Sequence, residues 1–258
     1  MLIRAFLRGM AFLEIVLHCS RTELVNRQAG KSDHPRTSEA RLWLATIAEL
    51  RTRSDDYADL LDPDERARAD RFRFDADRER FVLGHGFLRE TLATALELEP
   101  SEIRYGRGTH GKPFIEGHSV RFNFSDTKDS VLVGFTKGVD IGIDLETMTR
   151  RVDHDAVAGH YFTGEEVAIL QALDEHARKR RFLEFWTRKE AVLKASGVGI
   201  MEDLKEMRVL DGSNSMRASH PELVNMAAGA YHVRTFLIGD AHIVSLAAPE
   251  PLDVTWIR

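Results

Sequence analysis

Asp144 and Glu146 stand two residues apart in Val139–Glu146, VDIGIDLE, and Asp140 precedes them on the same alternation. Strand geometry puts all three carboxylates on one face and Val139, Ile141, Ile143 and Leu145 on the other. Acids are poor strand formers, and like charges side by side repel. Either the strand end is wet or a cation offsets the repulsion. A second acid points to the cation. In RRFLEFWTRKEAVLKASG, helical spacing gathers Phe182, Phe185, Trp186, Val192 and Leu193 into one arc. Glu190 falls inside that arc, with Lys194 one turn on. A carboxylate on a buried side is expected to be paired or bound to a metal. Read alone, Glu190 and Lys194 are an i, i+4 pair worth only about 0.3 kcal/mol, and GIDLE is equally an edge strand with a wet face. Read together, Asp144, Glu146 and Glu190 offer hard oxygen ligands with room for water and phosphate, which describes a magnesium site. Asp140 lies further from the strand end and is expected in solvent or in a salt bridge.

These side chains need a strand and a helix brought face to face. RLWLATIA from Arg41 alternates as a strand. Asp62-Pro63-Asp64-Glu65 starts a helix, with Asp as cap, Pro at the first position and acids in the first turn. A longer helix carries Phe81, Leu88, Leu92 and Leu96 as a stripe. VRFNFS and VLVGFT read as a hairpin around Asp126–Ser130. The acidic strand follows, then a helix over 153–161, a capping box from Thr163 to Glu166, and a long helix from about Arg178 that stops at Gly197. AYHVRTFLI and AHIVSLAAP form a last hairpin. The expected fold class is α/β (α+β), two similar halves in a pseudo-two-fold arrangement. The expected division is an N-terminal extension over 1–40, poorly ordered; an N-terminal half over 41–137; and a C-terminal half over 138–258 that carries the metal site. The N-terminal apolar run is interrupted by Arg8 and shows no small-residue cleavage site, so it reads as an extension or an early start codon rather than a leader.

The chain has 258 residues, 43% hydrophobic and 30% charged, an ordinary globular balance. A net charge of -5 argues against bulk nucleic-acid binding, so any anion site must be local. The single cysteine, Cys19, excludes an intrachain disulfide and a cysteine-held zinc, and fits a reducing cytoplasm. No run is apolar enough for a membrane span. No histidine spacing suggests zinc.

GIDLE followed downstream by FWTRKEAVLK resembles the paired signature of the Sfp-type 4′-phosphopantetheinyl transferases, G-(I/V)-D-x-E and then W-(S/T)-x-K-E-(A/S)-x-x-K. GKP at Gly111–Pro113, FNFSDT at Phe122–Thr127 and the arginine-rich helices from Glu65 extend the likeness. The resemblance implies transfer of the phosphopantetheine arm of coenzyme A to a serine of an apo acyl or peptidyl carrier protein, with release of 3′,5′-ADP. It implies Asp144, Glu146 and Glu190 as ligands of Mg2+. The reaction also needs a base for the carrier serine, and Glu190, or a metal-bound water it holds, is the candidate. Lys194 would contact the phosphate bridge. Arg68, Arg107, Gly111, Lys112, Asn123, Ser125, Asp126 and Asp144 would bind coenzyme A, and Glu166 matches an acid near the active site. A cytoplasmic monomer with no nucleic-acid or membrane partner completes the expectation.

Two positions depart from the family pattern. Asp126 stands where His is usual and would repel a phosphate: either it turns away, or it accepts from the ribose or a nearby arginine, or affinity for coenzyme A is lower. Glu65 stands where a basic residue is common, leaving Arg66 and Arg68 to compensate. The remaining arginines of this region, Arg71, Arg73 and Arg80, read as a solvated basic face. Lys189 reads as a snorkelling side chain. ARKRRF at Ala177–Phe182 reads as a charged helix start or a docking patch for an acidic carrier. The alternatives are another magnesium-dependent phosphoryl-transfer or phosphodiester-cleaving enzyme, or a non-catalytic module that binds coenzyme A or a carrier protein.

Overall fold

The computed structural model describes residues 13–25, 38–199 and 202–257. The chain opens with strands β1 (Leu13–Cys19), β2 (Glu23–Val25) and β3 (Glu39–Thr46). Four helices follow: α1 (Ile47–Leu50), α2 (Ser54–Leu60), α3 (Pro63–Ala69) and α4 (Asp75–Leu96). Then come β4 (Tyr105–Arg107), β5 (Pro113–Ile115), β6 (Val120–Asp126), β7 (Ser130–Lys137) and β8 (Gly142–Thr147). Helices α5 (His154–Tyr161), α6 (Gly164–Gln171) and α7 (Glu175–Ser196) precede β9 (Gly212–Ala218) and α8 (Pro221–Met226). Strands β10 (Ala230–Ile238), β11 (His242–Ala248) and β12 (Asp253–Ile257) end the described chain. The class is mixed α/β, as the periodicities predict.

Two sheets stack between two long helices. The larger runs β8-β11-β10-β1-β9, with β2 also on β10, and the smaller runs β12-β3-β7-β6. Alternation assigns each residue to a layer. In β8, Ile143 and Leu145 enter the core between the sheets with Leu42, Leu132, Phe236 and Val244. Phe182, Phe185 and Val192 of α7 pack on the outer face of the larger sheet. Leu88 and Leu92 of α4 cover the outer face of the smaller one, over Phe122 and Phe135. The apolar face of VDIGIDLE is thus a strand at the join of the two sheets.

The expected N-terminal extension does not hold over residues 13–25. Strand β1 lies inside the larger sheet, antiparallel to β9 and parallel to β10, and Ile15, Leu17 and Cys19 point into the core. The extension expected over 1–12 and 26–37 lies outside the described residues. The last strand, β12, crosses to pair with β3 in the smaller sheet. A cut at residue 138 therefore leaves β1 and β12 each in the opposite half. The reason is hydrogen bonding between strands about 200 residues apart, which local periodicity cannot report.

Expected helix starts are present with their caps. Asp62 and Thr163 each close a capping box, with Glu65 and Glu166 respectively. The arginine-rich helix ends at Ala69. Its Glu65 is 9% exposed and bonds Arg89 and His85 inside the fold, so a basic residue there has no free site to serve.

Candidate active site

Strand β8 is the edge of its sheet, and its free backbone is met by side chains of β6. Asn123 Oδ1 accepts from the Ile143 N–H at 2.9 Å, and Ser125 Oγ accepts from the Leu145 N–H at 3.1 Å. Both were expected among the groups binding coenzyme A. Their first duty is to satisfy an edge strand.

The opposite approach to β8 is made by α7. A Cβ on Gly142 would lie 2.0 Å from the Ala191 carbonyl oxygen and 2.3 Å from the Ala195 nitrogen. Only a bare Cα permits this contact, and it sets the depth at which Glu190 and Lys194 meet the strand. Gly142 is the positioning residue that counting carboxylates missed, although it opens the GIDLE motif.

At that contact Lys194 Nζ lies 2.6 Å from Asp144 Oδ1 and 3.3 Å from Ser125 Oγ, which donates to Asp144 Oδ1 at 3.2 Å. Asp144 and Glu146 are 6% and 9% exposed. Asp144 Oδ2 and Glu190 Oε1 are buried with no hydrogen-bond partner. Burial pushes the Glu190 carboxyl up to about 7; the Asp144 charge adds to the rise, and Lys194 and Arg150 oppose it. Arg150 pairs with Glu146 Oε1. Asp144, Glu190 and Lys194 are therefore together as expected, and Glu146 stands beside them with an arginine in hand. Among the described residues, no group of three or more His, Cys, Asp or Glu side chains is arranged to hold a metal ion. The three acids do not close into a ligand set here, because two of them are neutralised by Lys194 and Arg150. The donor type still fits magnesium: two buried carboxylate oxygens lack partners, and one of them belongs to Glu190, the carboxyl held high by burial and like charge.

A cleft of about 860 Å³ opens between α3, α4, the β4–β5 hairpin and β6, lined among others by Arg68, Arg71, Arg107, Asn123 and Asp126. Arg68 lies over the Phe81 ring at 4.9 Å. Asp126 ends β6 on the face toward α4, and its Oδ2 is 3.0 Å from Arg80 Nε. Of the readings open for Asp126, pairing with an arginine is the one present. Arg80 is correspondingly more than a solvated basic residue.

Three expected residues sit elsewhere. Lys112 Nζ donates to the carbonyls of Ile141 and Ala195, at 3.0 and 3.1 Å, and lies 3.7 Å from Asp140 Oδ1. It straps the hairpin to the β8–α7 seam instead of lining the arginine cleft, and burial lowers its pKa, against the pull of Asp140. The same contact gives Asp140 the salt bridge expected of it. Gly111 is an exposed turn residue at φ +82 whose carbonyl accepts from Arg107 Nη1 at 3.2 Å. Glu166 is fully buried, accepting from the Val209 and Thr163 N–H groups and from Lys189 Nζ at 2.8 Å. That arrangement is structural.

Lys189 does not snorkel: it is 1% exposed, with Nζ also bonded to the Leu204 and Met207 carbonyls. Its neighbour Arg188 is 0% exposed and reaches Thr235, the Val209 and Ser20 carbonyls and Asp211. In ARKRRF, Arg180 and Arg181 are drawn onto Glu184.

Because Lys112 donates to two backbone carbonyls in the seam, Lys112→Met is expected to lower the unfolding free energy by about 1–2 kcal/mol. Urea denaturation measures it, and an unchanged midpoint would contradict the strap.

Comparison with known sequences follows the same residues. The profile of the 4′-phosphopantetheinyl transferase superfamily matches residues 140–245, and that of the 4′-phosphopantetheinyl transferase N-terminal region matches residues 43–136. The chain is 33% identical to the 4′-phosphopantetheinyl transferase HetI of Nostoc sp., over 67% of this chain and 74% of that one. It is 26% identical to the 4′-phosphopantetheinyl transferase Sfp of Bacillus subtilis, over 76% of this chain and 85% of the relative. To the 4′-phosphopantetheinyl transferase AcpT of Escherichia coli it is 28% identical, over 58% of this chain and 73% of the relative. The two profile matches meet at the seam between β7 and β8, where the acids lie.

Proposed function

Since the chain belongs to the 4′-phosphopantetheinyl transferase superfamily, we propose how its cleft and its acid site share that family's reaction. The protein is an enzyme that transfers the phosphopantetheine arm of coenzyme A to carrier proteins. Our reading is that the arginine cleft takes the nucleotide end of coenzyme A, with Arg68 and Arg107 facing its phosphates. Asn123 and Ser125 run from that cleft to the acids along β6. Asp144, Glu146 and Glu190 would hold Mg2+. Bound there, magnesium supplies neutralising charge for the pyrophosphate bridge.

The chain's own groups then have distinct work. Lys194, a compact cation at the site's edge, faces the leaving phosphate. Glu190, through an oxygen not taken as a ligand, would take the hydroxyl proton of the carrier serine. The serine oxygen bonds to the phosphorus that carries the arm, the pyrophosphate P–O bond breaks, and 3′,5′-ADP leaves. The observation that carries this reading is the pair of buried, unpartnered oxygens on Asp144 and Glu190 beside Lys194. Incubation with coenzyme A, magnesium and a panel of apo acyl and peptidyl carrier proteins tests it, with the mass of the arm as readout. No modification of any carrier would sink it.

Arg80 lines the same cleft as Arg107 and should matter to coenzyme A. Arg80→Ala bares the Asp126 carboxylate, so KM for coenzyme A is expected to rise roughly tenfold, with kcat less affected. Adding Asp126→Ala should restore most of it. A double variant as weak as the single one contradicts this role for Arg80.

Among the described residues, no helix is long and apolar enough to cross a membrane. We read the enzyme as a cytoplasmic monomer without a nucleic-acid partner. The net charge of -5 supports the lack of a nucleic-acid partner, and the lone, buried Cys19 supports a reducing compartment.

A further inference from the structure

The two cations beside the acids are held differently. Lys194 belongs to the long helix and bonds one oxygen of Asp144, leaving the other free. Arg150 comes from the turn after β8. Its N–H donates to the Thr147 carbonyl at 2.9 Å, which folds the chain back over the strand end. From there its guanidinium pairs with Glu146 Oε1 and rests 5.6 Å from the centre of the Trp186 ring. Trp186 is fixed edge-on to Tyr161. Arg150 therefore sits on an aromatic platform with its side chain 33% exposed, while the Glu146 side chain is 12% exposed.

A part-exposed guanidinium can leave a carboxylate at modest cost, since solvent screens what it gives up. A nearly buried carboxylate cannot do without a partner. Glu146 therefore needs a cation at all times, yet does not require that the cation be Arg150. A guanidinium and a divalent ion at the same carboxylate also repel one another.

Resting on the reading that Asp144, Glu146 and Glu190 hold magnesium, we propose that Arg150 is a displaceable counter-ion of Glu146. Arginine and metal compete for the same carboxylate. In the metal-free protein Arg150 keeps Glu146 neutralised and the site folded. When the metal is held, Arg150 gives up Glu146 and stays on Trp186 at the rim. Its role is to position Glu146 and to weaken metal binding by competition.

Calorimetric titration of Mg2+ into the wild-type chain, Arg150→Gln and Arg150→Lys, without coenzyme A, tests the competition. Arg150→Gln should bind magnesium roughly tenfold more tightly, and Arg150→Lys close to wild type. Thermal unfolding gives a second readout. Without magnesium Arg150→Gln should melt below wild type, and saturating magnesium should close that gap. Equal magnesium affinities, or a melting gap that magnesium leaves unchanged, would overturn the proposal and leave Arg150 a structural residue. If none of the three proteins binds magnesium, the metal reading itself fails and takes this proposal with it.

Discussion

Asp144→Asn is expected to keep the fold and to lower kcat/KM for transfer on the order of a thousandfold. The side chain keeps its shape and can still meet Lys194 and Ser125, so packing is conserved. What goes is the negative charge on an oxygen that has no partner within the chain. Glu190→Gln should cost transfer as much and move stability the other way. In the folded chain burial, then Asp144, raises the Glu190 carboxyl to about 7 from its ordinary value of 4.5. A carboxyl raised by folding costs stability as pH climbs past its unfolded value, and the cost is complete above the folded one. The metal-free Glu190→Gln protein should therefore match wild type near pH 4.5 and exceed it at pH 8 by on the order of 2 kcal/mol. Carrier-loading kinetics and urea melts at the two pH values measure both effects. A variant that keeps wild-type transfer refutes the role of that acid. A Glu190→Gln protein no more stable at pH 8 than wild type refutes the burial argument.

Gly142→Ala should do more damage with a single methyl group. Its Cβ would fall 2.0 Å from the Ala191 carbonyl oxygen and 2.3 Å from the Ala195 nitrogen, both backbone atoms of α7. A flexible side chain could swing aside, but a helix that carries Phe182, Phe185 and Val192 into the core cannot. The expected cost is about 4 kcal/mol or more, beyond ordinary overpacking because the obstacle is main chain. Any protein that still folds must hold α7 away from β8, which separates Glu190 and Lys194 from Asp144. Transfer should then fall even where circular dichroism shows the helices intact. Near-wild-type stability with full activity would show that the seam has slack this geometry denies.

Much of this was legible in sequence, and for one reason: alternation and helical spacing are local. Two carboxylates at i and i+2 on a strand must share a face, and a glutamate within an apolar arc must be buried and need a partner. Capping residues marked Asp62 and Thr163 as helix starts on short-range hydrogen bonding alone. Local pattern misled where charge faced inward. Arg188 and Lys189 look like the solvated side of a helix, and both are sealed beneath carbonyls from distant loops and strands. Lys112 sits beside a proline in a turn, yet its ammonium reaches residues 29 and 83 positions away.

The sequence by itself determined which residues are the candidates for the chemistry: Asp144, Glu146, Glu190 and Lys194, with arginines nearby to meet phosphate. Their types and their periods sufficed, since both depend on neighbours a few bonds away. The tertiary structure alone decided which charges are already neutralised. It paired Asp126 with Arg80, Glu146 with Arg150 and Asp144 with Lys194. It also placed β1 inside the sheet of the opposite half. Such pairings follow from packing and strand register, and a salt bridge between 80 and 126 leaves no mark in the residues around either end.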